Sequence, residues 1–238
     1  MNNNTIRSLW IGELTKLEIL AIKSFLANGH KFELYCYEDI QGVPEGTILI
    51  DANEIIPKDK IWTYDNGSLA GFSNNFRYNL LYEKGGWWVD MDTICLKPFD
   101  FDSDYVFSTE KEKHDAYHIN LAALKITPKH KLMKELLDGS MENNSLAWGS
   151  TGPSFLRRVV NANRDYNKLY LDNMKAPHIF CPISYQTSAT IISNPFTFKE
   201  ETYAVHLWNE IWRRNKWDKN KIYPPESLYE ALKKKYSV

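Results

Sequence analysis

Residues 72–92 read Phe-Ser-Asn-Asn-Phe-Arg-Tyr-Asn-Leu-Leu-Tyr-Glu-Lys-Gly-Gly-Trp-Trp-Val-Asp-Met-Asp. Phe72, Phe76 and Leu80 fall on one stripe of a helix predicted from about Leu69 to Lys84. Gly85-Gly86 stops that helix abruptly, and Trp87-Trp88-Val89 has the unbroken apolar character of a buried strand. Asp90-Met91-Asp92 follows at once, at the carboxyl end of the strand, where open α/β sheets bind their ligands.

Upstream, residues 6–11 predict a first strand, followed by Gly12. Leu17, Leu20, Ala21 and Ser24 have helical spacing, and Asn28-Gly29 closes that helix. Phe32, Leu34 and Cys36 alternate as a second strand, and Ile48-Leu49-Ile50 predicts a third. Strand, helix, strand at this spacing implies a right-handed parallel crossover. The expected fold class is α/β, with one Rossmann-like, mostly parallel sheet flanked by helices. Downstream, strands are expected at Tyr105–Thr109 and Ile119–Ile126, and helices at Pro128–Leu137, after Gly152-Pro153, and after Pro224-Pro225-Glu226. With no internal repeat or linker, residues 1–238 are expected to form one domain, with 205–238 as a lid or acceptor-side segment.

Composition narrows the function classes. A net charge of -1 offers no long-range attraction to nucleic acid, so no nucleic-acid partner is expected. The three cysteines, Cys36, Cys95 and Cys181, are far apart and form no C-x-x-C pair, so buried reduced thiols are expected. Neither a signal peptide nor an apolar stretch of membrane-spanning length is visible, which predicts a cytoplasmic protein. Lys233-Lys234-Lys235 has two readings: contact with an anionic membrane at its inner face, or, more commonly, a solvated helix end that complements the helix dipole. Eight tryptophans suit sugar stacking and core packing equally.

The acidic pair carries the chemistry. On an extended segment alternate side chains share a face, so Asp90 and Asp92 are expected to converge on one cation. A divalent ion held by one or two carboxylates commonly fills its other positions with phosphate and water. Alone, an Asp-x-Asp triplet is most often a solvated turn; here Trp87, Trp88 and Val89 press it against the core, where acidic groups usually have a partner or a metal. Arg77 has two readings, a guanidinium serving the site and a structural ion pair with one of these aspartates. His206 ends a short apolar strand, a place where a lone histidine is more often a hydrogen-bonded core residue than a ligand. Trp208, Trp212 and Trp217 are open between core, lid and acceptor-stacking surface.

Taken together with three later blocks, these residues resemble glycosyltransferase family 32, which includes α-1,4-galactosyl and N-acetylglucosaminyl transferases and bacterial capsule and lipopolysaccharide enzymes. The family's central signature is Ser-Asp, Arg, a Leu-Tyr pair, Gly-Gly, an aromatic residue and Asp-x-Asp. The later blocks are His118-Ile119-Asn120-Leu121-Ala122, the stretch Trp148-Gly149-Ser150-Thr151-Gly152-Pro153, and Ala204-Val205-His206-Leu207-Trp208-Asn209. The resemblance implies a GT-A fold, Mn2+ or Mg2+, a UDP-sugar donor, retention at the anomeric carbon, and a glycan or lipid-linked oligosaccharide acceptor. It implies metal contacts from Asp90, Asp92 and His206, with Arg77 steadying the acidic pair or the donor. Trp10 is expected near the base, and Asn120 and Gly152 near the donor sugar. Asn74, Trp88, Trp208 and Trp212 complete the implied donor site. Asn74 stands where the family commonly has Asp, which leaves the donor sugar open. Two rivals are weaker. A sugar nucleotidyltransferase would show a glycine-rich phosphate loop where Trp10-Ile11-Gly12-Glu13-Leu14 stands. A non-catalytic carbohydrate-binding protein is suggested only by the tryptophans.

Overall fold

The computed structural model describes residues 5–111, 117–142 and 149–238. The first strand, β1 (Thr5–Leu9), leads to α1 (Lys16–Ala27), and β2 (Lys31–Cys36) and β3 (Thr47–Asp51) follow. Helix α1 has the spacing expected from Leu17 onwards, and its start is set by a local motif that spacing alone did not single out. Thr15 and Glu18 form a reciprocal capping box, with the Thr15 amide donating to Glu18 Oε2 at 2.8 Å. Next come α2 (Ala70–Lys84), β4 (Gly86–Val89), β5 (Thr93–Cys95), β6 (Val106–Lys111) and β7 (Tyr117–Ile126). Gly85 stops α2 at φ 61°, and a Cβ there would lie 2.4 Å from the Pro128 nitrogen, so only glycine makes this turn.

The chain continues through α3 (Lys131–Glu142), α4 (Pro153–Ala162), α5 (Arg164–Asn173), β8 (Met174–Lys175), α6 (Pro177–Phe180), α7 (Thr190–Ser193), β9 (Ala204–His206), α8 (Asn209–Asn215) and α9 (Leu228–Lys235). Helix α3 begins three residues later than the sequence suggests, with His130 Nδ1 accepting from the Leu132 amide at 3.2 Å in the preceding turn. Helix α9 begins at Leu228, capped by the Ser227 side chain rather than opened by the prolines.

Seven strands form one sheet in the order β3-β2-β1-β4-β7-β6-β8. The pairs β1–β2, β2–β3, β1–β4 and β6–β8 are parallel, whereas β7 runs antiparallel to both β4 and β6. The sheet is mostly parallel and flanked by helices, the GT-A arrangement, with one reversed strand that local periodicity does not disclose. Tyr35, Phe72, Phe76, Trp88, Phe107 and Leu124 pack one face with α2, α3 and α4. Ile22, Phe25, Phe32, Trp87 and Phe180 pack the other.

A second, two-stranded sheet pairs β5 with β9 antiparallel, Thr93 opposite His206. Around it a third cluster gathers Leu17, Ile94, Val205, Trp212, Tyr229 and Leu232, which fixes much of residues 205–238 against α1. The three cysteines are buried and free. Among the described residues, no helix is long and apolar enough to cross a membrane.

Candidate active site

Strand β4 is buried, with Trp87 1% and Trp88 1% exposed, and the chain must turn where its apolar run ends. It does so at Asp90-Met91-Asp92. The Thr93 amide donates to the Asp90 carbonyl at 2.9 Å, closing a turn between β4 and β5. The pair is therefore not on an extended segment, as its sequence position suggested. The turn, rather than strand alternation, aims both carboxylates at one place, because the next strand must leave the main sheet to pair with β9.

That pairing imports the third member. With Thr93 opposite His206, the imidazole arrives beside Asp92, its Nε2 3.1 Å from Oδ2. Asp90, Asp92 and His206 each present a ligand atom within 4.8 Å of the others. Burial alone would raise the Asp92 carboxyl. His206 and the Asn209 amide, which donates to Asp92 Oδ2 at 2.5 Å, outweigh it and hold the carboxyl below its ordinary value. Burial would likewise lower the imidazole, but Asp92 raises it well above the ordinary histidine value. The histidine is thus a buried, hydrogen-bonded residue, and its partner is a carboxylate of the acidic pair.

Trp208 sets up the Asn209 contact. It takes φ 60° and ψ 54°, a left-handed conformation that is an outlier for a bulky residue. Its indole N–H donates to the Ile183 carbonyl at 2.9 Å, and its ring sits 4.2 Å from that of His206. These contacts hold the strained turn, which starts α8 with its first amide aimed at Asp92.

Asp90 is organised from the other side. Arg77, 3% exposed on α2, forms an ion pair with Asp90 Oδ1, and the Trp88 indole N–H donates to the same oxygen at 2.8 Å. The guanidinium carbon lies 4.9 Å from the centre of the Trp88 ring, and its NH1 donates to Asn74 Oδ1 at 2.9 Å. Both readings of Arg77 thus meet in one group: a buried ion pair that belongs to the site. Asn74 spends its amide inside the protein, with Nδ2 3.4 Å from Thr151 Oγ1. Thr151 also meets the Tyr64 hydroxyl at 3.1 Å, and its carbonyl accepts from Tyr78 at 2.8 Å. A Cβ on Gly152 would come 3.3 Å from Asn74 Nδ2, so this loop lies close on α2.

Most of these side chains line one cleft of about 660 Å³, with Tyr78 and Thr151 behind its wall. Trp10, Asn74, Arg77, Trp88, Asp90, Asp92, Asn120, Gly152, His206 and Trp208 border it. Trp212 does not. It is fully buried, with its indole N–H donating to the Leu207 carbonyl at 2.7 Å and its ring 4.8 Å from Tyr229. Its place among the donor contacts is corrected accordingly: the side chain faces the third core. Trp148 lies outside the described residues.

Several groups at the cleft escape a reading of spacing alone. Tyr64 and Thr151 form the buried network behind Asn74. Glu210 forks between Arg213 and Arg214 on the rim, at 2.8 and 2.9 Å. Glu110 ends β6 and lines the same cleft; its position at the end of an expected strand was the only available signal.

The chemistry of the donor set decides what the group can hold. Two carboxylates and an imidazole, one carboxylate buried, are oxygen and nitrogen donors of the kind that hold a divalent cation. Both protein hydrogen bonds to Asp90 end on Oδ1, so Oδ2 is the oxygen it offers a cation. The residues fit a divalent ion.

Residues 18–113 match the family model described as a glycosyltransferase sugar-binding region containing a DXD motif. Residues 125–236 match the alpha 1,4-glycosyltransferase conserved region. The chain belongs to the DXD-motif glycosyltransferases. Asp90-Met91-Asp92 is the DXD triplet of this glycosyltransferase and lies within the first match, while the second begins at the end of β7. Among solved structures, PaToxG glycosyltransferase is 16% identical, with 71% of this chain and 73% of that chain covered and a TM-score of 0.49. The apo-form glycosyltransferase GlyE of Streptococcus pneumoniae TIGR4 is 18% identical, with 74% and 46% covered and a TM-score of 0.43. No curated protein matches the sequence significantly.

Proposed function

We propose that this glycosyltransferase moves a hexose or N-acetylhexosamine from a UDP-sugar to a hydroxyl of a glycan or lipid-linked oligosaccharide, with retention at the anomeric carbon. The observation that carries the reading is the convergence of Asp90, Asp92 and His206 in a cleft at the carboxyl end of β4. These three would hold Mn2+ or Mg2+, whose chemistry there is to neutralise charge developing on the departing diphosphate. Trp10, at the end of β1, lies on the side where the base is accommodated. Arg77 orients Asp90 through its buried ion pair. Asn120 and the Gly152 loop border the space for the sugar.

Retention is assigned to same-face attack, in which the acceptor oxygen forms its bond to the anomeric carbon as the bond to phosphate breaks. The electron pair and the acceptor proton both go to the departing phosphate. Such a path needs positioning and charge stabilisation more than a protein nucleophile. A trapped glycosyl-enzyme adduct, found by mass spectrometry, would exclude it. We place the work of residues 1–238 in a single transferase domain acting in the cytoplasm, at the inner membrane face where a lipid-linked acceptor of bacterial surface polysaccharide is presented. The three free thiols agree with a reducing compartment.

The test is nucleotide release from a panel of UDP- and GDP-sugars, with Mn2+ and with chelator. Metal-dependent release from a UDP-sugar is the expected outcome. Oligosaccharide binding that needs neither nucleotide nor metal would replace the enzyme with a binding protein.

A further inference from the structure

Four acidic side chains border the cleft: Asp90, Asp92, Glu110 and Glu210. Asp90 and Asp92 belong to the cation group, and Glu210 is held at the rim by two arginines. Glu110 occupies a different place, and the sheet order defines it. Strands β1, β4 and β6 all run in the same direction, so their carboxyl ends lie along one edge in the order β1, β4, then β6 beyond the intervening start of β7. Trp10 follows β1, Asp90 follows β4, and Glu110 stands at the end of β6, opposite His118 of β7.

A nucleoside diphosphate sugar is itself linear: base and ribose, diphosphate, sugar. With the base towards β1 and the diphosphate at the Asp90–Asp92 turn, the sugar extends towards β7 and β6. Glu110 is half-buried there, its Oε2 enclosed by protein while the residue borders the cleft. A carboxylate so placed is an acceptor-only group, suited to hydrogen bonds from sugar hydroxyls.

We infer that Glu110 is a specificity-determining residue that accepts hydrogen bonds from hydroxyls of the transferred sugar and selects among epimeric donors. This rests on the donor reading proposed above. A site built to hydrogen-bond a hydroxyl discriminates strongly against an analogue lacking it, because the protein group is then left without its partner. The absence of a carboxylate at Asn74, whose amide is committed to Arg77 and Thr151, makes Glu110 the acidic group on the sugar side of the cation group among the described residues.

The experiment compares wild type with Glu110→Gln and Glu110→Asp in two measurements. The first is calorimetric affinity for UDP with Mn2+. The second is kcat/KM for nucleotide release from UDP-glucose, UDP-galactose and their two N-acetylhexosamine counterparts. The expected result is unchanged UDP affinity in all three proteins. Glu110→Gln should lose about 10- to 100-fold in kcat/KM on the preferred donor, the range of a charge-assisted hydrogen bond. Its preference between epimers should narrow, and Glu110→Asp should recover part of it. Unchanged rate and epimer preference in Glu110→Gln would overturn the inference, as would a uniform loss on every donor with the preference intact. Failure of wild type to bind UDP with Mn2+ would instead remove the donor reading, and this inference with it.

Discussion

Asp92 is anchored almost entirely by residues far from it in the chain. The Asn209 amide, the His206 ring and the Leu207 amide all reach it, the last through its backbone carbonyl at 2.8 Å. Asp92→Asn keeps the shape and an acceptor for Asn209 but removes the charge that faces His206 and a cation. Affinity for UDP in the presence of Mn2+ should fall by more than about 100-fold, beyond the 10- to 100-fold typical of groups that only support a metal ligand. The thermal midpoint should fall, because the buried His206 loses the charge that faces it, while the chain remains folded. Unchanged affinity by calorimetry would take Asp92 out of the site. At this scale the sequence disclosed which residues matter but not how they meet. The Asp-x-Asp triplet is local and legible; the left-handed Trp208 that aims the Asn209 amide is a backbone event with no side-chain signature.

Helix α8 shows what an element of seven residues hides. Glu210, Arg213 and Arg214 stand three and four positions apart and so share the face towards the cleft, while Trp212 falls on the opposite face. A stretch this short has too few turns for its periodicity to be visible, and the three tryptophans in and around it therefore could not be sorted by spacing. The structure sorts two of them: Trp208 lines the cleft, and Trp212 packs against Trp217, Tyr223 and Tyr229. Trp212→Ala should cost about 3–5 kcal/mol of stability through the cavity it leaves. Chemical denaturation measures this, and turnover per folded molecule should be nearly unaffected. Normal stability with lost turnover would return Trp212 to the site. By contrast, the long elements were readable because their signals are local. Helix α1 has its apolar spacing and Asn28-Gly29 stop, α2 its apolar stripe and Gly85 stop, and β4 its aromatic run.

Across the whole molecule, the parallel half of the sheet follows from strand-helix-strand spacing, whereas the reversal at β7 and the β5–β9 pair depend on contacts distant in sequence. Those non-local pairings build the site. The cleft draws on β1, α2, the β4–β5 turn, β6, β7, the Gly152 loop and α8, so a ligand within it bridges segments that separate on unfolding. Under the proposed function UDP with Mn2+ binds only the folded chain, so at a concentration about 100 times its dissociation constant it should add about 2.7 kcal/mol of stability. For a chain of this size each kcal/mol moves the thermal midpoint by about 2–4 °C, giving an expected rise of roughly 5–11 °C. UDP with chelator should give a much smaller rise, because the diphosphate then meets Asp90 and Asp92 without a counter-charge between them. A rise of equal size with and without chelator would mean that UDP binds away from the acidic group. The convergence of Asp90, Asp92 and His206 would then be an internal ion-pair network of the fold.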